Sequence, residues 1–473
     1  MINGIRKVTL IMLFCFFFLS LGLVYWQVVK ADSMLDHPAN RRAIYLEKRI
    51  ARGGIYDRHG VVLAQTKLRE DGEKVREYPQ GEMFQPLLGY ATVKYGSAGL
   101  EASQADILLG MKERSVLRKI QNAFQLERTG NDLVLTLDSR LQKIAYEKLK
   151  GRAGAVVALD PRTGEVLVLV SQPSFDANTI EEEWDEIISK KGSPLLNHAF
   201  AKFPPGSIMK VVTSSALFKA GIDTAGLYNC KGVTEINGQT ISEQNDKKHG
   251  WVNYDLALAH SCNTYFAENG IKAGVKAFLS AVAGFGFGKE IPFDLYVPVS
   301  SITVEEPLPS HLDPNLFAAS TFGQGQVMVT PFHMALITAG VANEGKIMRP
   351  YLIDSVLDSK QNRIYKTKQE VWLQPLAPVE AKKIKSGMIS AVREGTASPG
   401  ALPGVQIAAK TGSAETGGNN NTHAWYIAFA PAENPRIAIA VLVENGGAGG
   451  VAAAPIAKAV IEKALDLKEG DNR

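Results

Sequence analysis

The sequence predicts an α+β fold in three parts: a single N-terminal transmembrane helix, a small strand-containing pedestal, and a larger domain in which an antiparallel sheet is flanked by helices. Three observations carry this reading. Residues 8–29 contain no charged side chain. Short apolar runs of strand length recur at residues 153–159, 166–170, 405–409, 425–430 and 437–443, with turn residues between them. Helical spacing fills much of residues 207–350 and returns at 452–467. The 473 residues exceed what one core usually supports. The expected divisions are 1–30 for a cytoplasmic start and anchor, 31–150 for the pedestal, and 151–473 for the larger domain.

The apolar run comes first. At about 1.5 Å per helical residue, residues 8–29 span a bilayer core of about 30 Å. Arg6 and Lys7 precede the run and predict a cytoplasmic N-terminus, and Tyr25 and Trp26 fall where aromatic rings favour the far interface. Everything after residue 30 is then outside the membrane. A cleaved signal peptide is the competing reading, because Val29-Lys30-Ala31 is a passable cleavage site; the length of the run favours a retained anchor. Cys15 lies inside the run after Phe14, the wrong neighbour for lipid attachment, and reads as an apolar side chain.

Residues 31–150 are rich in charge and turns, such as Asp57-Arg58-His59-Gly60. Residues 133–137 read as a strand. Asp138 then caps a helix whose Leu141, Ile144, Ala145 and Leu149 share one face, and Gly151 closes it. Two strands, 153–159 and 166–170, are joined by the turn Asp160-Pro161-Arg162-Thr163-Gly164. With residues 405–412, 425–430 and 437–443 they make one antiparallel sheet, which the helix at 452–467 covers. The acidic run 181–185 reads as a solvated helix face.

Three strings in order carry the chemistry: Ser207-Ile208-Met209-Lys210, Ser261-Cys262-Asn263 and Lys410-Thr411-Gly412. A serine hydroxyl is a weak nucleophile at neutral pH, and a desolvated lysine one turn later on the same helix face can take its proton. Phe203-Pro204-Pro205-Gly206 breaks the chain just before Ser207, and residues 211–221 read as helix. Ser207 therefore sits near a helix N-terminus, where free N–H groups favour an oxyanion. Ser261 offers a hydroxyl that relays a proton, and Asn263 an amide that donates and accepts. Lys410 beside Thr411 and Ser413 suits a substrate carboxylate, and Gly412 leaves a strand edge open to substrate. Each string alone is common; their order is the signal.

Together these strings resemble the S-x-x-K, S-x-N and K-T-G set of penicillin-binding proteins. Cys262 stands where Asp is familiar, at a position that varies in this family. The resemblance extends to Arg52-Gly53-Gly54-Ile55-Tyr56-Asp57-Arg58-His59-Gly60 and Gly96-Ser97-Ala98-Gly99-Leu100-Glu101, which look like the two N-terminal boxes of class B members, monofunctional peptidoglycan D,D-transpeptidases. Phe322-Gly323-Gln324-Gly325 followed by Thr330-Pro331 resembles a further segment of their catalytic domain and reads as groove wall. The small pedestal is similar to that of the compact, penicillin-binding protein A-like members. The resemblance implies a serine β-lactamase-like catalytic fold in a bacterial cell-membrane protein whose catalytic domain is extracellular or periplasmic.

It also implies roles. Ser207 would attack the penultimate D-alanine carbonyl of a peptidoglycan stem peptide, with Lys210 as base. Ser261 would pass a proton to the departing amine. Asn263 would hold the stem backbone, Lys410 would set the local potential, and Thr411, Gly412 and Ser413 would receive the terminal carboxylate end. The backbone N–H groups of Ser207 and Ser413 would form the oxyanion hole. β-Lactams would acylate the same serine, and a multi-spanning glycan polymerase is the implied partner. Alternatives within the same chemistry are a D,D-carboxypeptidase or a serine β-lactamase, although no deacylating glutamate is identifiable. A catalytically idle scaffold or a β-lactam sensor is the alternative of another class.

The net charge of +4 without a basic cluster gives no sign of nucleic-acid binding. The cysteines and histidines have no metal-ligand spacing, and no metal or cofactor is expected. Cys230 and Cys262 could form a disulfide outside the membrane or remain free thiols. His260 and His423 lie beside the motifs but read as packing or hydrogen-bonding residues. Phe285-Gly286-Phe287-Gly288 lacks the context of a dinucleotide loop.

Overall fold

Ile2–Val24 forms one continuous helix in the computed structural model, which describes residues 2–26, 30, 50–70, 72, 74–111, 128–304, 309, 311–415 and 422–470. The helix includes Arg6 and Lys7 and is apolar all round from Val8 onward, the pattern of a segment meant for lipid rather than for one protein face. At about 1.5 Å per residue it is long enough to cross a bilayer. Tyr25 and Trp26 meet edge to face just beyond it. Residues 27–29 of the expected anchor lie outside the described residues.

Among the described residues the N-terminal sheet has six strands, in the order Arg363–Lys366, Ile353–Leu357, Asp132–Leu135, Ile55–Tyr56, Val62–Leu68 and Lys74–Glu77. Two of them come from far along the chain, so residues 353–366 complete a sheet begun by residues 55–77. Ile353–Leu357 pairs antiparallel with Asp132–Leu135, Ile353 opposite Leu135 and Leu357 opposite Asp132.

The two N-terminal boxes meet in this region. Arg52 Nε donates to Glu101 Oε2 at 2.6 Å and Arg76 Nε to Glu101 Oε1 at 2.7 Å, all three side chains being nearly dry. A buried carboxylate needs such partners, because an ion alone in a low dielectric costs several kcal/mol. Gly53 lies so close to Asn131 that a Cβ would sit 2.0 Å from its carbonyl oxygen, which explains a glycine there. Asp57 Oδ1 accepts from the His59 and Val61 amides, at 2.8 Å each, closing the turn expected from the sequence.

The central sheet is antiparallel throughout, in the order Val166–Gln172, Gly154–Leu159, Ile437–Val443, Thr422–Ala430, Ala408–Glu415. Ile437–Val443 is buried at every position. Ala438, Ala440 and Leu442 face one core with the helix Pro331–Ala342, while Ile437, Ile439, Val441 and Val443 face a second core under Ser139–Leu149 and Ala454–Gly470. Helices on both faces make these strands read as unbroken apolar runs rather than alternating ones.

Asp138 caps Ser139–Leu149 as expected, its carboxylate accepting from the Arg140 amide at 3.0 Å. Leu141, Ala145 and Leu149 then pack on the central sheet, so the chain passes residue 150 with its packing unbroken. The strand expected at 405–409 begins at Ala408 and runs to Glu415, carrying the whole Lys410-Thr411-Gly412-Ser413 string. Its outer side is the edge of the sheet. The C-terminal cover is two helices, Gly449–Ala452 and Ala454–Gly470, rather than one. The acidic Glu181, Glu182, Glu183 and Asp185 lie exposed on Ile180–Ser189.

Candidate active site

Ser207 stands on a one-turn 3₁₀ segment, Gly206–Met209, that leads directly into the helix Lys210–Lys219. Gly206 has φ +56°, a conformation glycine adopts without a Cβ penalty, and its amide donates to Gly323 O at 3.0 Å. A Cβ on Gly323 would lie 2.0 Å from Gly206 O. The Phe322-Gly323-Gln324-Gly325 segment therefore does more than form groove wall: it holds the turn bearing Ser207 while Phe322 and Gln324 face the cleft.

Lys210 follows one turn later on the same face. Its Nζ is 3.0 Å from Ser207 Oγ, 3.2 Å from Ser261 Oγ, 2.7 Å from Asn263 Oδ1 and 2.6 Å from the Ser261 carbonyl. Two of the three strings thus converge on one nitrogen. Lys210 is fully buried, and the loss of water pulls its pKa down to about 8, against an opposing pull from the Glu243 carboxylate. An ammonium that deprotonates near neutral pH can act as a base.

Ser261 is placed by a helix ending. Tyr254–Ala259 closes with the Ser261 amide donating to Leu258 O at 3.2 Å and the Cys262 amide to Ala257 O at 2.8 Å. These paired bonds make a Schellman ending in which Ser261, at φ +62°, occupies the left-handed position usually given to glycine. A serine there costs about 1 kcal/mol, a strain typical of functional positions. Cys262 then caps the next helix, Asn263–Ala273, its Sγ accepting from the Tyr265 amide at 3.3 Å. Asn263 Nδ2 donates to Ser242 O at 3.0 Å.

Along the edge strand, Thr411 and Ser413 line the same cleft as Ser207, Ser261 and Asn263, a space of about 680 Å³. Thr411 Oγ1 lies 2.5 Å from Thr396 Oγ1. Lys410 points the other way, fully buried, with Nζ donating to Thr411 O at 2.9 Å. Burial, reinforced by the charge of Lys210, drives its pKa well below that of a free lysine. Gly412 also faces inward: a Cβ would meet Pro205 O at 2.9 Å and Ile208 Cγ2 at 3.2 Å. The glycine lets the strand press against the turn that bears Ser207, a reason different from the open substrate edge expected from sequence.

Glu243 was invisible to motif reading, being one carboxylate in a polar stretch. It is buried, and it accepts at 2.8 Å from the amides of both Asn263 and Thr264 and at 3.0 Å from Thr264 Oγ1. An anion at a helix N-terminus is favourable, and these bonds hold its pKa down despite burial. Its only sequence signal is distance-independent: a carboxylate that must find partners somewhere. Cys230 and Cys262 are buried and unbridged. His423 packs on Phe203 and accepts from the Asn445 amide at 3.2 Å, as expected, whereas His260 lines the cleft and stacks on His249. Phe285 and Phe287 are core side chains.

Sheet, serine-bearing turn and convergent motifs define the class: an active-site serine acyltransferase on an antiparallel sheet covered by helices. The family model for the penicillin binding protein transpeptidase domain matches residues 154–462, and that for the penicillin binding protein A dimerisation domain matches residues 52–133. The chain belongs to the penicillin-binding protein transpeptidase family, and within it to class B. It is 34% identical to the peptidoglycan D,D-transpeptidase PbpA of Mycobacterium tuberculosis over 98% of this chain and 99% of that one. The structure of a ceftriaxone acyl-enzyme complex of penicillin-binding protein A from M. tuberculosis superimposes with a TM-score of 0.82 at 33% identity, covering 88% of this chain and 99% of that one. The D,D-transpeptidase domain of a peptidoglycan glycosyltransferase from Eggerthella lenta gives 0.80 at 30% identity, covering 89% and 99%.

Proposed function

We propose that this protein cross-links peptidoglycan as a membrane-anchored D,D-transpeptidase in which Ser207 forms the acyl-enzyme. The observation that carries the reading is the position of Lys210 Nζ, 3.0 Å from Ser207 Oγ, on a lysine that is itself fully buried. Lys210 takes the Ser207 proton as Oγ bonds to the penultimate D-alanine carbonyl of a stem peptide. The oxyanion develops against the backbone N–H groups of Ser207 and Ser413. The C–N bond to the terminal D-alanine then breaks, and Ser261 passes the proton to the leaving amine. Asn263 holds the donor backbone along the edge strand, and Thr411 and Ser413, with Lys410 behind them, receive the terminal carboxylate. Gly412 keeps that strand close to the nucleophile. An amine from a neighbouring stem takes the acyl group, releasing Ser207.

The same serine opens β-lactam rings and retains the acyl group, as the relationship to β-lactam acyl-enzyme complexes supports. The proposed organisation is anchor 1–30, pedestal 31–150 and transpeptidase domain 151–473, with the N-terminus in the cytoplasm and the rest outside. The apolar helix Ile2–Val24 supports the anchor, and Arg6 and Lys7 ahead of the apolar run support the orientation. A multi-spanning glycan polymerase is the partner we assign to the helix and pedestal.

Labelling with a fluorescent penicillin tests the reading. The parent should retain label for many minutes and Ser207→Ala should take none. Rapid loss of label would indicate hydrolysis, and a folded parent without label would indicate an idle scaffold.

A further inference from the structure

Behind the Ser261-Cys262-Asn263 string, four side chains from three segments point at one spot. Cys230 comes from the strand Tyr228–Cys230, Glu243 and His249 from the loop that follows the hairpin strand Gln239–Ser242, and Cys262 from the cap of Asn263–Ala273. One donor atom from each lies within 4.8 Å of all the others. Cys230 Sγ is 3.4 Å from His249 Nδ1 and 3.6 Å from Glu243 Oε1, and Cys262 Sγ is 3.2 Å from the same oxygen. Tetrahedral zinc, with bonds of about 2.0 to 2.3 Å, places neighbouring ligand atoms about 3.5 Å apart. The separations here, 3.2 to 3.6 Å, bracket that value.

We propose that Cys230, Glu243, His249 and Cys262 form a structural site for a zinc-class divalent cation. Two sulfurs, one imidazole and one carboxylate oxygen are a donor set that selects zinc among tetrahedral ions. Hydrogen bonds from the Asn263 and Thr264 amides and from Thr264 Oγ1 fix the carboxylate, the kind of outer support that metal ligands have. Cys230, Glu243 and Cys262 are buried, while His249 is half-buried and lines the active-site cleft with Glu243, which gives an ion a way in. Binding releases one proton from each thiol to solvent and involves no electron transfer. The ion ties Cys262, and so its neighbours Ser261 and Asn263, to the hairpin side of the cleft. Spacing along the chain hid the site, because its ligands come from three segments that meet only in the fold. The inference stands on the cluster alone and does not depend on the reaction assigned to Ser207.

The test uses the full chain purified in detergent without chelator, in a Cys15→Ser background that removes the membrane thiol. Elemental analysis should find about one zinc per chain, and thiol titration should find Cys230 and Cys262 unreactive until a chelator is added. Cobalt in place of zinc should give thiolate-to-metal charge-transfer absorption and the intense visible bands of a tetrahedral centre. Cys230→Ser and His249→Ala should each retain metal at least about tenfold more weakly. His249 is partly exposed, so its variant tests the site even if Cys230→Ser fails to fold. A metal-free chain two mass units lighter than the free-thiol form would show a disulfide and overturn the proposal. So would free thiols and no bound metal after incubation with excess zinc.

Discussion

Ser261 holds a left-handed backbone conformation, φ +62°, at the end of Tyr254–Ala259, where glycine is the comfortable residue. Stability and chemistry therefore pull in opposite directions at this one position. Ser261→Gly should leave thermal stability unchanged or raise it by up to about 1 kcal/mol while lowering the rate of penicillin acylation. A variant that is both less stable and fully active would contradict the assignment. At Lys210, the direction of the pKa shift sets the pH dependence. In the proposed reaction the amine must be neutral to accept the Ser207 proton, and its pKa is pulled down to about 8 by burial. The second-order acylation rate should rise about tenfold per pH unit below that value and level off above it. A flat profile from pH 6 to 9 would remove Lys210 as the base.

At the scale of elements, the site depends on three backbones pressed together: the Gly206–Met209 turn, the edge strand Ala408–Glu415 and the Phe322-Gly323-Gln324-Gly325 loop. Gly412→Ala adds a Cβ 2.9 Å from Pro205 O, and the contact is with backbone, which cannot swing aside. The nucleophile turn should shift, and acylation should fall about 100-fold with stem-peptide and penicillin substrates alike. The helix Pro331–Ala342 carries a different sensitivity. His333 is wholly buried, its Nε2 2.8 Å from the Phe285 carbonyl and its Nδ1 2.8 Å from Ser300 Oγ. The carbonyl can only accept, so Nε2 carries the proton and the Ser300 hydroxyl donates to Nδ1. Burial pushes the pKa of this neutral ring from 6.5 down to about 4. Between those values the unfolded chain binds a proton that the folded chain refuses, so stability falls as pH drops, by about 3 kcal/mol in total. Urea unfolding at pH 7 and pH 4 should show that loss in the parent, and a smaller one in His333→Gln.

For the whole molecule, the N-terminal sheet is completed by strands that follow the catalytic helices. A chain beginning at residue 151 would lack Asp132–Leu135, the partner of Ile353–Leu357, and Ser139–Leu149, which covers one face of the central sheet. It should aggregate or fail to bind penicillin, since an unpaired apolar strand and an uncovered sheet face would both be exposed. A chain beginning at residue 50 should bind penicillin at full stoichiometry. Equal binding by both would show that the two sheets fold independently. The junction of the N-terminal boxes is a second test of that coupling. Glu101→Gln disrupts the charged contacts of Arg52 and Arg76 in a dry setting and should cost about 3 kcal/mol, seen as a lower unfolding midpoint with the acylation rate of the folded protein unchanged.

The sequence by itself determined what depends on neighbours along the chain. The apolar run became the helix Ile2–Val24, the Asp138 cap and the Leu141, Ala145, Leu149 stripe became a helix on the central sheet, and the run 437–443 became its middle strand. Ser207 and Lys210 were legible because three residues of helix put them on one face. Tertiary structure decided what depends on contact between distant segments. Only the fold brings Asn263 Oδ1 and the Ser261 carbonyl to Lys210 Nζ, and only it joins residues 353–366 to the pedestal sheet. Gly412 was recognised as part of a string, but its physical reason, an approach to Pro205 and Ile208, required the turn to be in place. Glu243 and the convergence of Cys230, His249 and Cys262 left no periodic trace, because side chains that meet across loops obey the geometry of packing rather than the period of a helix or strand.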